Sequence, residues 1–308
     1  MISHINNIGF SFLSHKDSPR LQLLTIDNEV IDKFIKCIDH LDVQSIEYKP
    51  FLRFYIANCL NELTKNTLGL CLLDILKNRQ TGAVLLQYEN DKSLVGEQFI
   101  DFNILLSTAV SHLIGLPNLD SMSGKFYARF SVKNEDNSDS YLRQAHRRME
   151  LHNDGTYVKE KTDWVIMQKI LELNVEGGGS LLLHLDDWDE LEKFHSHPVA
   201  KEDIQWGSPS SKNISYKTTH PIFIEEEGEE PIMSFIDQFA EPANMNQGLY
   251  LYELGESLEK DSNTYNIKLS EGSMLIINNY FWLHGRDMFF ANKDLHRELL
   301  RQRGVFIQ

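Results

Sequence analysis

Cysteine is scarce in this sequence, and a secretion signal is lacking. Only three cysteines occur in 308 residues, at Cys37, Cys59 and Cys71. Their number is odd and their spacing is not that of a metal knuckle, so we expect buried, reduced thiols. The first residues, MISHINNIGFSF, lack the basic start and apolar core of a signal peptide. Both observations predict a protein of the reducing cytoplasm.

Positive charge is also in short supply. The chain has 30 Lys and Arg residues against 45 Asp and Glu, which gives a net charge of −15 and a pI near 5.2. This balance argues against a nucleic-acid partner or an anionic membrane surface, because both require a cationic protein face. No apolar run reaches the roughly 20 residues that a membrane span needs. A small anionic ligand is not excluded, since a few inward arginines can make a positive pocket.

The apolar pattern changes character about a third of the way along the chain. The first part has helical spacing at 27–41, 50–64, 68–78 and 99–115, with a strand at 81–89. Later segments predict strands at 162–174, 177–185, 232–239, 272–283 and 299–307, and one helix at 186–194. We therefore predict a single α+β domain over residues 1–308. A mainly helical part (1–117) packs on a β sandwich or barrel (118–308).

The tripeptide His152–Asn153–Asp154 is the first candidate for a metal site. Residues two apart on a strand point to the same face, so this His and Asp can bind one ion. His284, at the end of the apolar strand in NNYFWLHGRD, is the best third ligand. Two histidines and one carboxylate on one face of an octahedron are typical of non-haem Fe(II) oxygenases, and they leave three positions open.

Two other histidine motifs compete with this assignment. His184 and Asp186 have the same spacing, but Asp186 and Asp187 precede a helix-like segment and are expected to cap it. His195 and His197 precede a proline, which favours a surface turn. We therefore favour His152 and Asp154.

Arginines near the C-terminal end supply a candidate anion site. Arg301 and Arg303 follow His284 by 17 and 19 residues and share one face of a predicted strand. The planar guanidinium binds a carboxylate through two parallel hydrogen bonds. An exposed edge strand is the alternative. Ser180 follows three glycines, where its hydroxyl could reach a ligand, or where the glycines simply form a turn.

Longer blocks of the sequence resemble a known family. They are MSGKFYARFSVKNEDNSDSYLRQAHRRMELHNDGTYV (122–158), GGGSLLLHLDDW (177–188), INNYFWLHGRD (277–287) and RELLRQRG (297–304). The chain closely resembles the carbon-starvation-induced bacterial glutarate 2-hydroxylases from about residue 18 to its end. These proteins are Fe(II)- and 2-oxoglutarate-dependent oxygenases with a clavaminate-synthase-like jelly roll. The resemblance therefore implies a double-stranded β-helix core with flanking helices.

The resemblance also implies roles for individual residues. Iron would be held by His152, Asp154 and His284, and Arg303 would grip the distal carboxylate of 2-oxoglutarate. Ser180 matches the position of a hydroxyl that binds the same co-substrate in the wider taurine-dioxygenase-like group. The presence of Asp154 argues against halogenation, which needs an open position there. A homotetramer is implied as well.

The implied reaction is hydroxylation of glutarate at C2. O2 would be consumed and succinate, CO2 and 2-hydroxyglutarate formed, as a step in lysine and glutarate breakdown. Because substrate and co-substrate are similar dianions, we expect Arg301 to help bind the substrate carboxylate. Tyr127, Arg129 and Arg143 are weaker candidates for the same task.

Other functions remain open at this stage. The same oxygenase chemistry could act on another small carboxylate. A non-catalytic metal-binding barrel would bind metal without turning over 2-oxoglutarate. A zinc hydrolase fits poorly, because catalytic zinc favours tetrahedral ligation and has no use for an arginine that grips a carboxylate.

Overall fold

The computed structural model describes residues 9–89, 94–133, 147–208, 214–225, 230–290 and 292–307. The helices are α1 (Asn28–Ile38), α2 (Val43–Tyr48), α3 (Pro50–Leu63), α4 (Leu68–Lys77), α5 (Glu97–Ile114), α6 (Leu191–His195) and α7 (Met245–Lys260). The strands are β1 (Phe10–His15), β2 (Ser18–Ile26), β3 (Ala83–Tyr88), β4 (Gly115–Pro117), β5 (Ala128–Lys133), β6 (Met149–His152), β7 (Trp164–Leu173), β8 (Ser180–His184), β9 (Ile204–Trp206), β10 (Thr218–His220), β11 (Phe223–Ile224), β12 (Ile232–Met233), β13 (Ala240–Glu241), β14 (Tyr265–Ile267), β15 (Met274–Asn278), β16 (Trp282–Arg286) and β17 (His296–Phe306).

Two sheets carry the architecture. The larger has the order β1-β2-β3-β15-β7-β17-β4, with β5 paired to β17. The smaller has the order β14-β8-β16-β6. All of these pairs are antiparallel except β2 with β3. Because β2 and β3 lie before residue 118, the N-terminal part contributes strands to the same sheet as the C-terminal part.

The larger sheet separates two apolar layers. One face packs on the helices, and α5 lies against it through buried polar contacts as well as apolar ones. Gln168 of β7 donates to Asn103 of α5, and Gln302 of β17 donates to Ser107 of α5. The other face packs against the smaller sheet. The apolar core between them includes Val165 of the larger sheet and Leu183 of the smaller sheet. Side chains alternate along a strand, so the residues on either side of Gln302 point between the two sheets.

Most of the segments predicted from periodicity are confirmed. Helices α1, α3, α4 and α5 and strands β3, β7, β8 and β17 lie where expected. The predicted strand 272–283 is instead two strands, β15 and β16, because the chain turns after Asn278. The predicted strand 232–239 shortens to β12. Helix α7 was not predicted. No helix in the described ranges has the length and apolarity required to cross a bilayer.

The segment after β8 corrects a second expectation. Residues 185–187 form one turn of 3-10 helix, and α6 begins only at Leu191. Asp186 does not cap a helix. It accepts hydrogen bonds from Arg79, while Asp187 accepts from Arg20. Ion pairs with distant arginines therefore replace the local capping bonds that the sequence suggested.

The cysteines also differ from expectation. The structure pairs Cys37 of α1 with Cys59 of α3 as a disulfide, and Cys71 is the free cysteine, half-buried on α4. The expectation of three reduced thiols is therefore wrong for Cys37 and Cys59. Helices α1 and α3 pack side by side, and the sequence separation of 22 gave no sign of that contact.

This pairing predicts the outcome of a thiol titration. The protein, denatured without reductant, should show one titratable thiol, and the same sample should show three after reduction. Cys71→Ser, as the matched control, should remove the single thiol in the first condition. Three thiols without reductant would instead support the expectation drawn from the sequence.

Candidate metal centre

Strand pairing brings the two histidines together. Antiparallel pairing of β16 with β6 sets His284 directly opposite His152, and their ring centroids are 4.4 Å apart. Asp154 follows β6 by two residues. The ligand atoms of His152, Asp154 and His284 all lie within 4.8 Å of one another. The described residues contain no other His, Cys, Asp or Glu group of this kind.

The turn that carries Asp154 is fixed by Asn279, which lies just after β15. The Asn279 amide accepts from the backbone N–H of Asp154 and donates to the carbonyls of Asp154 and Thr162. Asn153, on the other side, donates to the carbonyl of Asn279. Gly155 has φ +89°, and a Cβ there would lie 2.5 Å from Thr162 Oγ1, so only glycine fits. The metal-binding turn is therefore held by buried side-chain bonds from another strand.

The charge states of the three side chains suit a metal. His152 Nδ1 donates to the carbonyl of Glu150, which leaves Nε2 as the atom with a lone pair. Burial lowers the pKa of His284 to about 3, so its ring is neutral at physiological pH. Burial opposes ionisation of Asp154, but the charge of Arg301 and other neighbouring positive groups outweigh it. They hold the pKa of this carboxyl well below its usual range.

These residues fit an iron ion. Asp154 Oδ2 is buried and accepts no hydrogen bond from the described residues, whereas buried polar atoms ordinarily have a partner. Two neutral imidazoles and one carboxylate are the donor set of non-haem Fe(II) oxygenases. The predicted triad is thus brought together with the chemistry that the sequence suggested.

Two arginines of β17 lie close enough to the triad to act on the charge of Asp154. Arg301 and Arg303 lie on the face of β17 turned away from α5. Arg301 Nη1 donates to Asp154 Oδ1 at 3.2 Å. Arg303 is half-buried and makes no side-chain hydrogen bond or ion pair with the described residues. Burial, then the charge of Asp154, raises the pKa of Tyr157, so its hydroxyl is a hydrogen-bond donor at neutral pH.

A second pair of arginines, Arg286 and Arg297, was not predicted from the sequence. Arg286, two residues after His284, is opposite Ser180 in the pairing of β16 with β8. Arg286 and Arg297 flank the ring of Phe289, with guanidinium carbons 4.9 and 5.5 Å from its centroid. A Cβ at Gly178 would lie 1.8 Å from that ring, so glycine at this position admits Phe289.

Arg297 is a strong candidate for an anion receptor. It is 3% exposed, and its Nε has no hydrogen-bond partner among the described residues. Burial lowers its pKa to about 10, and the nearby charge of Arg286 adds to this effect. A buried guanidinium without a carboxylate is costly unless an anionic ligand binds it. Side chains alternate between the two faces of a strand, so Arg297 lies on the same face of β17 as Arg301. This spacing could have identified Arg297 from the sequence as a further inward arginine.

Two of the predicted substrate residues, Tyr127 and Arg129, are not brought to the triad. The Tyr127 hydroxyl bonds Glu47 of α2, and Arg129 pairs with Glu298, which places both in contact with the helical side of the larger sheet. Arg143 lies outside the described residues.

The competing histidine motifs also have structural roles. His184 is fully buried, and its Nδ1 accepts from the backbone N–H of Asp186. His195 pairs with Glu225, while His197 accepts from the backbone N–H of Val199. The described residues therefore offer no second histidine–carboxylate metal site at these motifs.

Two solved structures of iron oxygenases are similar to this chain in architecture. Asparagine oxygenase in complex with Fe(II), 2S,3S-3-hydroxyasparagine and succinate aligns with a TM-score of 0.72 at 15% identity, over 92% of this chain and 93% of the other. The non-heme iron oxygenase OrfP with Fe and alpha-ketoglutaric acid aligns with a TM-score of 0.68 at 15% identity, over 91% and 92%. These likenesses show that the fold is shared.

The sequence comparisons define the family. The profile of the CsiD family matches residues 10–306, and this chain belongs to that family. Glutarate 2-hydroxylase from Salmonella typhimurium is 49% identical over 299 residues, which are 97% of this chain and 91% of the relative. The Citrobacter koseri protein of the same name is 48% identical over 301 residues, 98% and 92% of the two chains. The resemblance stated from the sequence blocks is confirmed.

Replacing Asn279 tests how the metal-binding turn is held. Asn279→Ala removes three buried hydrogen bonds and leaves their partners unsatisfied, so we expect a loss of about 2 to 4 kcal/mol in the free energy of unfolding. Metal affinity should fall as well, because the turn bearing Asp154 loses its support. Urea denaturation and metal titration measure the two effects.

Asn278→Ala is the matched control for this prediction. Asn278 donates to the carbonyl of Leu76 and accepts from the N–H of Tyr280, away from the Asp154 turn. It should lower stability without weakening metal binding. Equal metal affinities in the two variants would contradict the role given to Asn279.

Proposed function

We propose that this chain is an Fe(II)- and 2-oxoglutarate-dependent dioxygenase that hydroxylates glutarate at C2. The observation that carries the proposal is the His152–Asp154–His284 cluster in a member of the CsiD family. Relatives named glutarate 2-hydroxylase, at 49% identity over nearly the whole chain, support the choice of substrate. Bound iron would supply O2 activation coupled to decarboxylation of 2-oxoglutarate, with succinate, CO2 and 2-hydroxyglutarate as products.

Arg297 and Arg286 provide a binding position for the co-substrate. We place the distal carboxylate of 2-oxoglutarate at Arg297, with Ser180 and Arg286 beside it. Ser180 is 3% exposed and shares a face of the smaller sheet with Arg286 and His284. Because Arg286 follows His284 by two residues on β16, Ser180 and Arg286 lie about 6 to 7 Å along the strand from His284. A ligand that spans from the triad to Arg297 therefore runs along this face. Arg303, which the resemblance assigned to this carboxylate, is the alternative.

Arg303 provides a binding position for a carboxylate of the substrate. Arg303 has no carboxylate partner among the described residues, and the Tyr157 hydroxyl can donate to the same anion. Glutarate is a dianion like 2-oxoglutarate, so the pocket needs two separate cationic ends. If Arg303 binds one carboxylate of glutarate, C2 of glutarate would point toward the triad. Placement of this kind decides which C–H bond reacts.

The finer description of the fold is part of the proposal. We describe the two facing sheets as a double-stranded β-helix, because the triad and the arginines lie between them. The likeness to asparagine oxygenase supports this description. The division into a helical part (1–117) and a catalytic core (118–308) of one domain stays a prediction.

We also propose a cytoplasmic homotetramer that acts in glutarate and lysine breakdown. Large apolar side chains exposed on α2, α3 and α4 are consistent with assembly: Tyr48, Phe51 and Leu70 are 77%, 67% and 70% exposed. Light scattering of the purified protein distinguishes a tetramer from a monomer.

Turnover of candidate substrates tests the activity. The protein is loaded with Fe(II) and given 2-oxoglutarate, O2 and either glutarate or a panel of other small carboxylates, and succinate and hydroxylated products are measured. We expect both succinate and 2-hydroxyglutarate with glutarate. Succinate without 2-hydroxyglutarate would retain the oxygenase and discard glutarate. No succinate from any acid, with iron binding intact, would favour a non-catalytic metal-binding barrel.

Paired variants test the two arginine assignments. Arg297→Gln should raise the 2-oxoglutarate KM by about 10- to 100-fold and leave the glutarate KM nearly unchanged, because a charge-assisted bidentate contact is lost at one end only. Arg303→Gln should have the opposite pattern. Steady-state kinetics with each acid varied in turn measure both constants.

Arg129→Gln is the control for these variants, since Arg129 pairs with Glu298 on the helical side of the same sheet. It should change neither KM. A larger effect of Arg303→Gln than of Arg297→Gln on the 2-oxoglutarate KM would support the assignment made from the sequence.

A further inference from the structure

The carboxylate of Asp154 is held through one of its two oxygens. Arg301 Nη1 donates to Oδ1 at 3.2 Å. Oδ2 lies 3.0 Å from the same nitrogen but outside hydrogen-bonding geometry, and it is buried. Among the described residues, no other side chain donates to this carboxylate. Its orientation is therefore set by Arg301, while the backbone at Asp154 is set separately by Asn279.

Arg301 is itself held in place from two directions. Asp120 Oδ2 lies 3.9 Å from Arg301 Nη2, and the Phe130 ring lies under the guanidinium with its centroid 4.7 Å from Cζ. Asp120 is fixed in turn, because its Oδ1 accepts from the backbone N–H groups of Met122 and Ser123. A rigid support thus runs from the 120–123 turn through Arg301 to the metal cluster.

The charges around Arg301 make it a poor receptor for substrate. Its guanidinium already lies between two carboxylates, Asp154 and Asp120, and stacks on an aromatic ring. A substrate carboxylate would have to compete with both. Arg303, two residues further on the same face, has no such partner among the described residues and is the better receptor.

We propose that Arg301 is a positioning residue for the metal-ligating carboxylate, with Asp120 and Phe130 as its supports. This inference rests on the proposed function, because it takes the triad as the iron site. Arg301 Nη1 lies 3.2 Å from Oδ1 and 3.0 Å from Oδ2, so the guanidinium fixes the orientation in which the Asp154 carboxylate meets a metal.

Cobalt binding by the full-length chain tests this role without turnover. Titration with Co(II), followed by its visible d–d absorption, measures both metal affinity and coordination. The variants are Arg301→Gln, Arg301→Lys and Asp120→Asn, and the control is Arg303→Gln on the same strand face. Asp120→Asn keeps Arg301 in the chain, so it carries the test if circular dichroism shows that Arg301→Gln is unfolded.

We expect Arg301→Gln to weaken Co(II) binding by about 10- to 100-fold and to change the d–d spectrum, the usual effect of losing a partner of a metal ligand. Arg301→Lys should recover part of the affinity, because one ammonium cannot reproduce the planar guanidinium contact. Asp120→Asn should act in the same direction with a smaller effect. Arg303→Gln should remain within about twofold of wild type.

Other outcomes separate failure of this inference from failure of the proposed function. Wild-type Co(II) affinity and spectrum in Arg301→Gln, with a raised glutarate KM, would overturn the inference and return Arg301 to the substrate site. Equal losses of affinity in Arg301→Gln and Arg303→Gln would also overturn it, because the effect would then be general electrostatics. No Co(II) binding by the wild-type chain would overturn the proposed metal site itself.

Discussion

The antiparallel pairing of β16 with β6 is the constraint on which the candidate metal centre depends. It sets His284 opposite His152, although the two residues are 132 positions apart in the sequence. A shift of one residue in this register would turn one of the two side chains to the other face of the sheet. Asn279 reinforces the register, because its bonds to the Asp154 turn tie the end of β15 to the strand that carries the first histidine.

Buried positive charge is the second physical theme of the structure. The chain carries a net charge of −15, yet the face of β17 between the sheets carries Arg297, Arg301 and Arg303. Guanidinium groups lose solvation there, and carboxylates of the described residues lie beside Arg301 but not beside Arg297 or Arg303. Arg297 and Arg303, at the two ends of this face, could each bind a carboxylate of one of two small dicarboxylates.

Several features were predictable because they depend on local periodicity. The helical spacing of residues 27–41 and 99–115 and the apolar run of 162–174 each identified the correct element. The triad was predictable because a His-x-Asp pair and a later histidine are chemically distinctive. The ends of elements were harder. The Asn278 turn divides one apolar run into β15 and β16, and the ion pairs of Asp186 and Asp187 replace a helix start that those residues favour locally.

The sequence by itself determined the family, the metal-ligand types and most of the regular elements, because these follow from residue identity and short-range spacing. Only the tertiary structure decided which arginines meet which carboxylates, since that depends on which face of β17 turns inward and on what packs against it. Tyr127 and Arg129 face the helices for this reason, although they lie in a matched sequence block. The pairing of Cys37 with Cys59 was likewise decided by the packing of α1 on α3, which no spacing rule encodes.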